Sequence, residues 1–412
     1  MWRCYAQRAL TDVWLARDLP LANLKVTTTL SGPCRVTGSI DPIYKDLIAD
    51  DGELLLMPWK TWVWVDASDQ IRGGGLVTDV KVVGPELTVE ITGVTGYLTG
   101  QPLLNNQRWG GKEDGTSGNG VDPLAVYRAL WAWLQSRAGG NLGVTVDTTT
   151  SPYRLGEWHN MRALKDDGSL GPAKDVATTP VPIDKVWVPA KDKKPVAAQG
   201  KVVHWQYQLN WWDNHELGRV SDELARQTPF DYRERYSWAT PAKEAVVKRV
   251  ELGYPRLGVR STQRFAEQEN ISDPLTIQRS GDDYANLVTA YGAGEGSKML
   301  RANASISDGR VRRSRTVERP DITSQAALQA VADDELRRWN TVEDIAGFAL
   351  MDHPNARIGT FDVGDDVLVH AYVGWSPIDL WVRITGLTLS PDTGEVVVTC
   401  SRSDRFRYGG AA

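Results

Sequence analysis

Between Asp12 and about Gly100 apolar and polar residues alternate in short runs, each cut off by turn-forming residues. Trp62-Val63-Trp64-Val65, Gly75 to Val82 and Leu87 to Ile91 are predicted strands, with Val83-Gly84-Pro85-Glu86 as a hairpin turn. A period of two sends successive side chains to opposite faces, which a sheet satisfies and a helix does not. The pattern predicts an all-β domain over residues 1–104, closed as a barrel. Gly73-Gly74-Gly75 lies between strands, where glycine permits a bulge or a close backbone approach. The Asn, Gly and Lys stretch that follows predicts a surface loop over 105–120.

The period then changes. Asp122 caps a predicted helix with Pro123 at its first position and Leu124, Tyr127, Leu130, Trp131 and Leu134 on one face, stopped by Gly139-Gly140. A second helix is predicted from about Asn214 to Gln227, with Leu217, Val220 and Leu224 inward, followed by strands at Phe230–Tyr236 and Ala245–Leu252. Helices mixed with strands define a central α+β region over 121–272. Within it, residues 159–201 carry five prolines and seven lysines, which predicts a projecting insertion with little core of its own.

Residues 273–412 return to β character. Strands are predicted at Tyr284–Tyr291 and Lys298–Ile306, around the turn 292–296. A helix capped at Thr323 or Ser324, with Leu328, Val331, Leu336 and Trp339 inward, precedes strands at Asp366–His370 and Leu380–Ile384. A hairpin over Gly386–Cys400 then turns at 390–394. The two β regions align in part: Gly52 to Leu56, Thr78-x-Val80-x-Val82, a Pro85 turn and Glu86-Leu87-x-Val89 correspond to Gly364 to Leu368, Thr385-x-Leu387-x-Leu389, a Pro391 turn and Glu395-Val396-x-Val398. Either one barrel is present twice or two hairpins align by chance, and duplication is the favoured reading. The fold class is α+β, predominantly β, with two β-barrel domains flanking the central region.

Composition narrows the function. With 41% hydrophobic and 24% charged residues the chain can bury cores, and a net charge of −5 gives no global attraction to nucleic acid or anionic lipid. No segment reaches the roughly 20 apolar residues of a bilayer span, and the N-terminus turns polar before a secretory apolar run could form, so no membrane insertion is expected. Cys4, Cys34 and Cys400 are odd in number and far apart, which excludes a C-x-x-C motif and a complete disulfide framework and points to a reducing cytoplasm. The 17 tryptophans, more than Phe and Met together, admit two readings: a sugar-stacking or interface surface, or bulky strand residues in place of Phe. The second is favoured.

Signals for chemistry are sparse. His159, His204, His215, His353 and His370 are dispersed without H-E-x-x-H or H-x-H spacing, so no metal site is predicted. No G-x-S-x-G elbow is present. The 292–296 glycines precede Ser297-Lys298, in reverse order to a phosphate loop, and read as a hairpin turn. Asp231 with Glu234, or Glu223 with Asp231, are conceivable carboxylate pairs for glycoside hydrolysis, weak ones among 52 acidic residues. Arg310, Arg312, Arg313, Arg315 and Arg319 lie on a strand-like segment that would pair with acidic neighbours, face passing DNA or guard a sheet edge. No catalytic, cofactor-binding or metal residue is assigned, and the chain is expected not to be an enzyme.

Several motifs carry a resemblance. Leu19-Pro20-Leu21, Pro58-Trp59-Lys60-Thr61-Trp62, Ile71-Arg72-Gly73-Gly74-Gly75-Leu76-Val77 and Gly93 to Gly100 resemble the opening domain of minor tail proteins from long-tailed, non-contractile phages of actinobacteria. Arg279 to Asn286, Gly292 to Gly296 and Val363-Gly364-Asp365-Asp366-Val367 resemble the closing domain of that family, and order and spacing carry the likeness along most of the chain. These proteins are similar to the tail-tip or baseplate hub of tailed phages. The resemblance implies a homotrimer whose six barrels form a pseudo-sixfold ring continuing the hexameric tail tube. It further implies a channel for DNA and the tape measure protein, with the central region on the distal side. Implied partners are the distal tail protein, the tail tube protein, and other minor tail proteins or fibres, in a virion assembled in the host cytoplasm and acting in host attachment and genome ejection. The 159–201 insertion departs from simple members, and the long C-terminal extension of some relatives has no counterpart in this sequence. The alternatives are a cell-wall glycan hydrolase and a carbohydrate-binding, receptor-recognising tail protein.

Overall fold

In the computed structural model, seven strands fill the first hundred residues: β1 (Trp2–Arg8), β2 (Trp14–Ala16), β3 (Ala22–Thr29), β4 (Arg35–Ile40), β5 (Thr61–Ala67), β6 (Gln70–Val83) and β7 (Glu86–Thr92). The structure describes residues 2–110, 121–151, 155, 157–158, 161–164, 170–174, 186–188, 196–198, 205–227, 230–272, 275, 277–279, 284–292, 294, 296, 299–319, 325–340, 343–373 and 376–403. The predicted strands at 62–65, 75–82 and 87–91 lie within β5, β6 and β7, and residues 84–85 make the turn between the last two. Every residue of β5 is buried, because it has cover on both faces. Trp62 and Trp64 stack on one face and donate from Nε1 to Ala9 O at 3.1 Å and Gln7 Oε1 at 3.0 Å, so neither indole leaves a buried N–H unmet. Gly74 sits opposite Trp64, where a Cβ would fall 2.5 Å from the ring and from Val63 O; the glycine makes room for the tryptophan.

The central region follows: β8 (Gln107–Trp109), α1 (Pro123–Gln135), β9 (Val144–Val146), β10 (Glu157–Trp158), β11 (Met161–Leu164), β12 (Leu170–Lys174), β13 (Val186–Val188), β14 (Val196–Ala198), β15 (Trp205–Leu209), α2 (Leu217–Gln227), β16 (Asp231–Trp238) and β17 (Val246–Gly253). Helix α1 starts as its sequence dictates: the Asp122 carboxylate accepts from Leu124 N at 3.0 Å, Pro123 opens the helix, and all five predicted inward residues are buried. Helix α2 begins three residues later than predicted, since Asn214 adopts φ 52° after a short 3-10 turn at Trp211–Asp213. Strand β8 lies where a loop was expected; it pairs with β15, and Trp109 stacks on Tyr207 at 5.9 Å. Three residues are too few to show an alternation. Within 159–201 the backbone pairs β12-β11-β13-β14, and the remaining positions of that segment, like 111–120, lie outside the described residues.

The C-terminal part comprises β18 (Arg260–Ala266), β19 (Ile277–Arg279), β20 (Leu287–Tyr291), β21 (Arg301–Ser305), β22 (Ser314–Glu318), α3 (Gln325–Trp339), β23 (Glu343–Ile345), β24 (Gly347–Met351), β25 (Asp366–Val373), β26 (Ser376–Ser390) and β27 (Glu395–Arg402). The predicted cap of α3 at Thr323 or Ser324 lies outside the described residues. Strands β20–β22 and α3 form a small lobe with its own core of alanines and Leu328. Apart from this lobe, β18, β25, β26, β27 and β24 pair in turn, and Ile271, just after β18, bridges Leu350 of β24, which closes the group on itself. This group has its own core, whereas the first sheet and the central region share one continuous core.

The fold is α+β and predominantly β, and both strand groups belong to one sheet of twelve strands. The join is β26. Its 15 residues exceed the usual strand length of about 5 or 6, and a register shift between Ile384 and Gly386 bends it; Ser376–Arg383 pair with β25 while Gly386–Leu389 pair with β3.

The two hairpins aligned in the sequence share a detail below the level of strands. In β6–β7 the register shifts at Thr78, whose hydroxyl donates to Glu90 O at 3.2 Å; in β26–β27 it shifts at Thr385, whose hydroxyl donates to Thr399 O at 3.2 Å. The aligned Gly52–Leu56 differs from its counterpart: it holds one isolated bridge, Ile48 to Leu54, whereas Val367-Leu368 lie in β25.

Candidate functional site

Strand β16 lies where the first sheet, the central region and the C-terminal group meet, and its alternation assigns one face to each neighbour. Asp231, Arg233 and Arg235 reach the C-terminal group. Asp231 Oδ2 accepts from Arg383 Nη2 at 2.6 Å and from Leu257 N at 3.0 Å. Arg383 is 1% exposed and also donates to Leu257 O and Gly364 O. Arg233 donates to Val363 O at 3.0 Å and, with Arg235, engages Glu251 of β17 and Asp362.

Of the even residues, Tyr232 donates its hydroxyl to Asp222 of α2 at 2.9 Å, whereas Glu234, Tyr236 and Trp238 reach the first sheet. Glu234 accepts from Cys34 N at 2.9 Å, from Thr95 N and Thr95 Oγ1 at 2.6 Å each, and from the Tyr236 hydroxyl at 2.7 Å. Burial raises its carboxyl pKa above the ordinary value and these four donors oppose the shift without cancelling it. Trp238 donates to Asp66 Oδ2 at 2.6 Å; Lys243 reaches the same oxygen at 3.2 Å and Asp69 at 2.7 Å, and these partners raise the lysine's pKa, that with Asp69 most. Lys248 of β17, buried, pairs with Asp12 at 2.9 Å and lies over the Trp62 ring.

The carboxylate pairs considered for glycan hydrolysis are not assembled. Asp231 and Glu234 project from opposite faces of β16, each saturated by partners, and Glu223 is exposed on α2 while Asp231 is buried. General acid and base work across a sugar needs two accessible carboxyls facing one space. His159 and His204 lie outside the described residues; His215 is near Asp213, His353 accepts from Asn355 N, and His370 Nδ1 meets Asp379 at 2.6 Å. Among the described residues no three His, Cys, Asp or Glu side chains converge as metal ligands. All three cysteines are buried and unbridged; burial pushes the Cys4 thiol up to about 12 and Cys34 higher, which keeps both as thiols.

The arginine segment pairs with acidic and aromatic neighbours: Arg310 with Asp308 at 2.7 Å, Arg319 with Glu335 at 3.9 Å, and Arg315 over Trp339 at 3.5 Å. Antiparallel pairing of β20 with β21 makes 292–300 a hairpin connection. The tryptophans divide: Trp62, Trp64 and Trp131 are core, whereas Trp59, Trp211 and Trp212 are exposed. No helix among the described residues is long and apolar enough to cross a membrane. The seam residues Arg383, Asp362 and Glu251 carry no sequence signal, since nothing local marks an ion pair spanning 152 residues; the alternation at 230–236 is the one trace.

No family model and no curated protein matches the chain. Solved structures do. The 43 kDa tail protein of prophage MuSo2 from Shewanella oneidensis is 12% identical, with 98% of this chain covering 99% of that one at a TM-score of 0.55. The tail protein from Neisseria meningitidis MC58 is 13% identical, with coverages of 98% and 97% and a TM-score of 0.52. Prophage tail protein gp18 from Listeria monocytogenes EGD-e is 9% identical, with coverages of 98% and 95% and a TM-score of 0.53. Along nearly its whole length, therefore, this chain has the fold of these three tail proteins.

Proposed function

We propose that the chain is a structural component of a phage tail, the homotrimeric hub of the tail tip, and that it catalyses no reaction. The carrying observation is the matched pair of hairpins, with Thr78 and Thr385 at equivalent register shifts in two halves of one sheet. Two similar units per chain make six in a trimer, the number that meets a hexameric tube without a symmetry gap. The β16 clamp and the shared strand β26 fix one half against the other, which a ring under load requires.

In this reading the sheet units line a channel for DNA and the tape measure protein, one rim meets the distal tail and tail tube proteins, and the central region offers a platform to other minor tail proteins or fibres. The place of action is the virion tail tip, after assembly in the host cytoplasm. The test is mass by light scattering on the purified chain and on tail tips released from particles, with antibody labelling of intact virions. A three-chain mass and label at the distal end of the tail are expected. A monomer or dimer in assembled tips, or label on the capsid, overturns the reading.

A further inference from the structure

The motif Ile71 to Val77 leaves one residue unexplained. Register between β5 and β6 shifts so that Val65 faces Gly73 and Asp66 faces Ile71, which makes Arg72 the extra residue of a β-bulge. Bulges re-aim side chains, and Arg72 points into a cavity of about 110 Å³ between the first sheet, β16 and the turn 358–363. Its guanidinium lies on the Gly359 backbone, so closely that a Cβ at Gly359 would collide with Nη1.

Among the described residues Arg72 has no ion pair within 4.0 Å, and its buried Nε meets no acceptor. Arg233 and Arg235 line the same cavity, and the lining carboxylates are already engaged: Glu234 by four donors, Asp362 by Arg235 and Arg233. A fork of N–H donors, half-buried and without a directly paired carboxylate, is a costly arrangement in isolation. Burial accordingly lowers the arginine's affinity for its proton, against the pull of Asp362 and Asp66.

We propose that this cavity is a binding site for one small oxyanion, held by Arg72 with Arg233 and Arg235 beside it. The space suffices for several waters or one phosphate-sized ion, and a planar guanidinium suits two oxygens of such an ion. The anion would join β6, β16 and the 358–363 turn across the seam. Two sources share this chemistry: a free tetrahedral ion such as phosphate, and a carboxylate supplied by a neighbouring protein.

The test is calorimetric titration of the dialysed full chain with phosphate and, separately, with acetate, at constant ionic strength, on the natural sequence and on Arg72→Gln. Saturable one-site binding of phosphate, weakened at least about tenfold in Arg72→Gln, is expected. Phosphate binding alone identifies a free tetrahedral ion, and acetate binding alone identifies a carboxylate as the occupant. No saturable binding of either, or binding unchanged in the variant, overturns the proposal. Should Arg72→Gln fail to fold, Arg72→Lys serves, since it keeps the charge and loses the fork; equal affinity in that variant overturns bidentate capture by Arg72.

Discussion

Asp231 and Arg383, 152 positions apart in sequence, meet at 2.6 Å with both side chains buried. The pair ties β16 to the centre of β26, and Leu257 contributes both an N–H to the carboxylate and a carbonyl to the guanidinium. Removing one partner strands the other charge in a dry setting, so Asp231→Ala is expected to cost about 3–5 kcal/mol of unfolding free energy. Replacing both by apolar residues, Asp231→Leu with Arg383→Met, is expected to cost less than the single change. Denaturant unfolding of the three proteins decides this.

Glu234 gives the seam a pH dependence. Its folded pKa lies above the ordinary value of 4.5, because burial outweighs its four donors. The native state therefore holds this proton more tightly than the unfolded chain, and the group's contribution to stability falls as pH rises from the ordinary carboxylate range through the folded pKa. Glu234→Gln should flatten the decline of stability in that window. At neutral pH the amide has one oxygen for four donors, and a cost of about 1–3 kcal/mol is expected. Thermal unfolding of both proteins across pH 4 to 8 reads the two effects separately.

Gly74 tests the packing of β5. An alanine at this β6 position would place its Cβ 2.5 Å from the Trp64 ring and from Val63 O, both in β5, a strand buried on both faces. The expected loss is about 1–3 kcal/mol, the usual cost of overpacking. Adding Trp64→Leu should recover part of it, and a denaturant midpoint for each protein measures both. A loss that Trp64→Leu leaves untouched would place the strain in the backbone, at Val63 O or at the positive φ of 155° that residue 74 adopts.

Period-two alternation made β5–β7, β16, β17, β20–β22 and β25–β27 legible and apolar spacing made the three helices legible, with boundaries off by a few residues, while the remaining strands carried no separate signal. The hairpin pair was legible because Thr78 and Thr385 sit at equal distances from their turns. Partner choice was not: one edge of β26 serves β25 and then β3 while the other edge serves β27, and no alternation within it says that β3 lies beside its second half. Asp231 and Glu234 stood out as carboxylates, but three positions apart on a strand they face opposite ways, so geometry gave them two structural roles. Arg72 sat inside a recognised motif, yet the bulge that aims it arises from the register of β5 on β6, which only the paired strands define.

The ends of β16 supply a last expectation. Asp231 clamps the C-terminal group, and Trp238, seven residues on, clamps the first sheet through Asp66. At about 3.3 Å per residue the clamps stand roughly 23 Å apart, with no shared partner. Changes that distant should add to within about 0.5 kcal/mol. Asp231→Asn and Asp66→Ala are therefore expected to be additive in the double variant, whereas Asp66→Ala with Trp238→Phe should show a coupling of about 1–2 kcal/mol, because each alone already breaks the same hydrogen bond. Denaturant unfolding of the four proteins in each cycle provides the values. Strong coupling between Asp231 and Asp66 would mean that β16 transmits strain along its length as a rigid bar, and the two halves of the sheet would then yield as one unit.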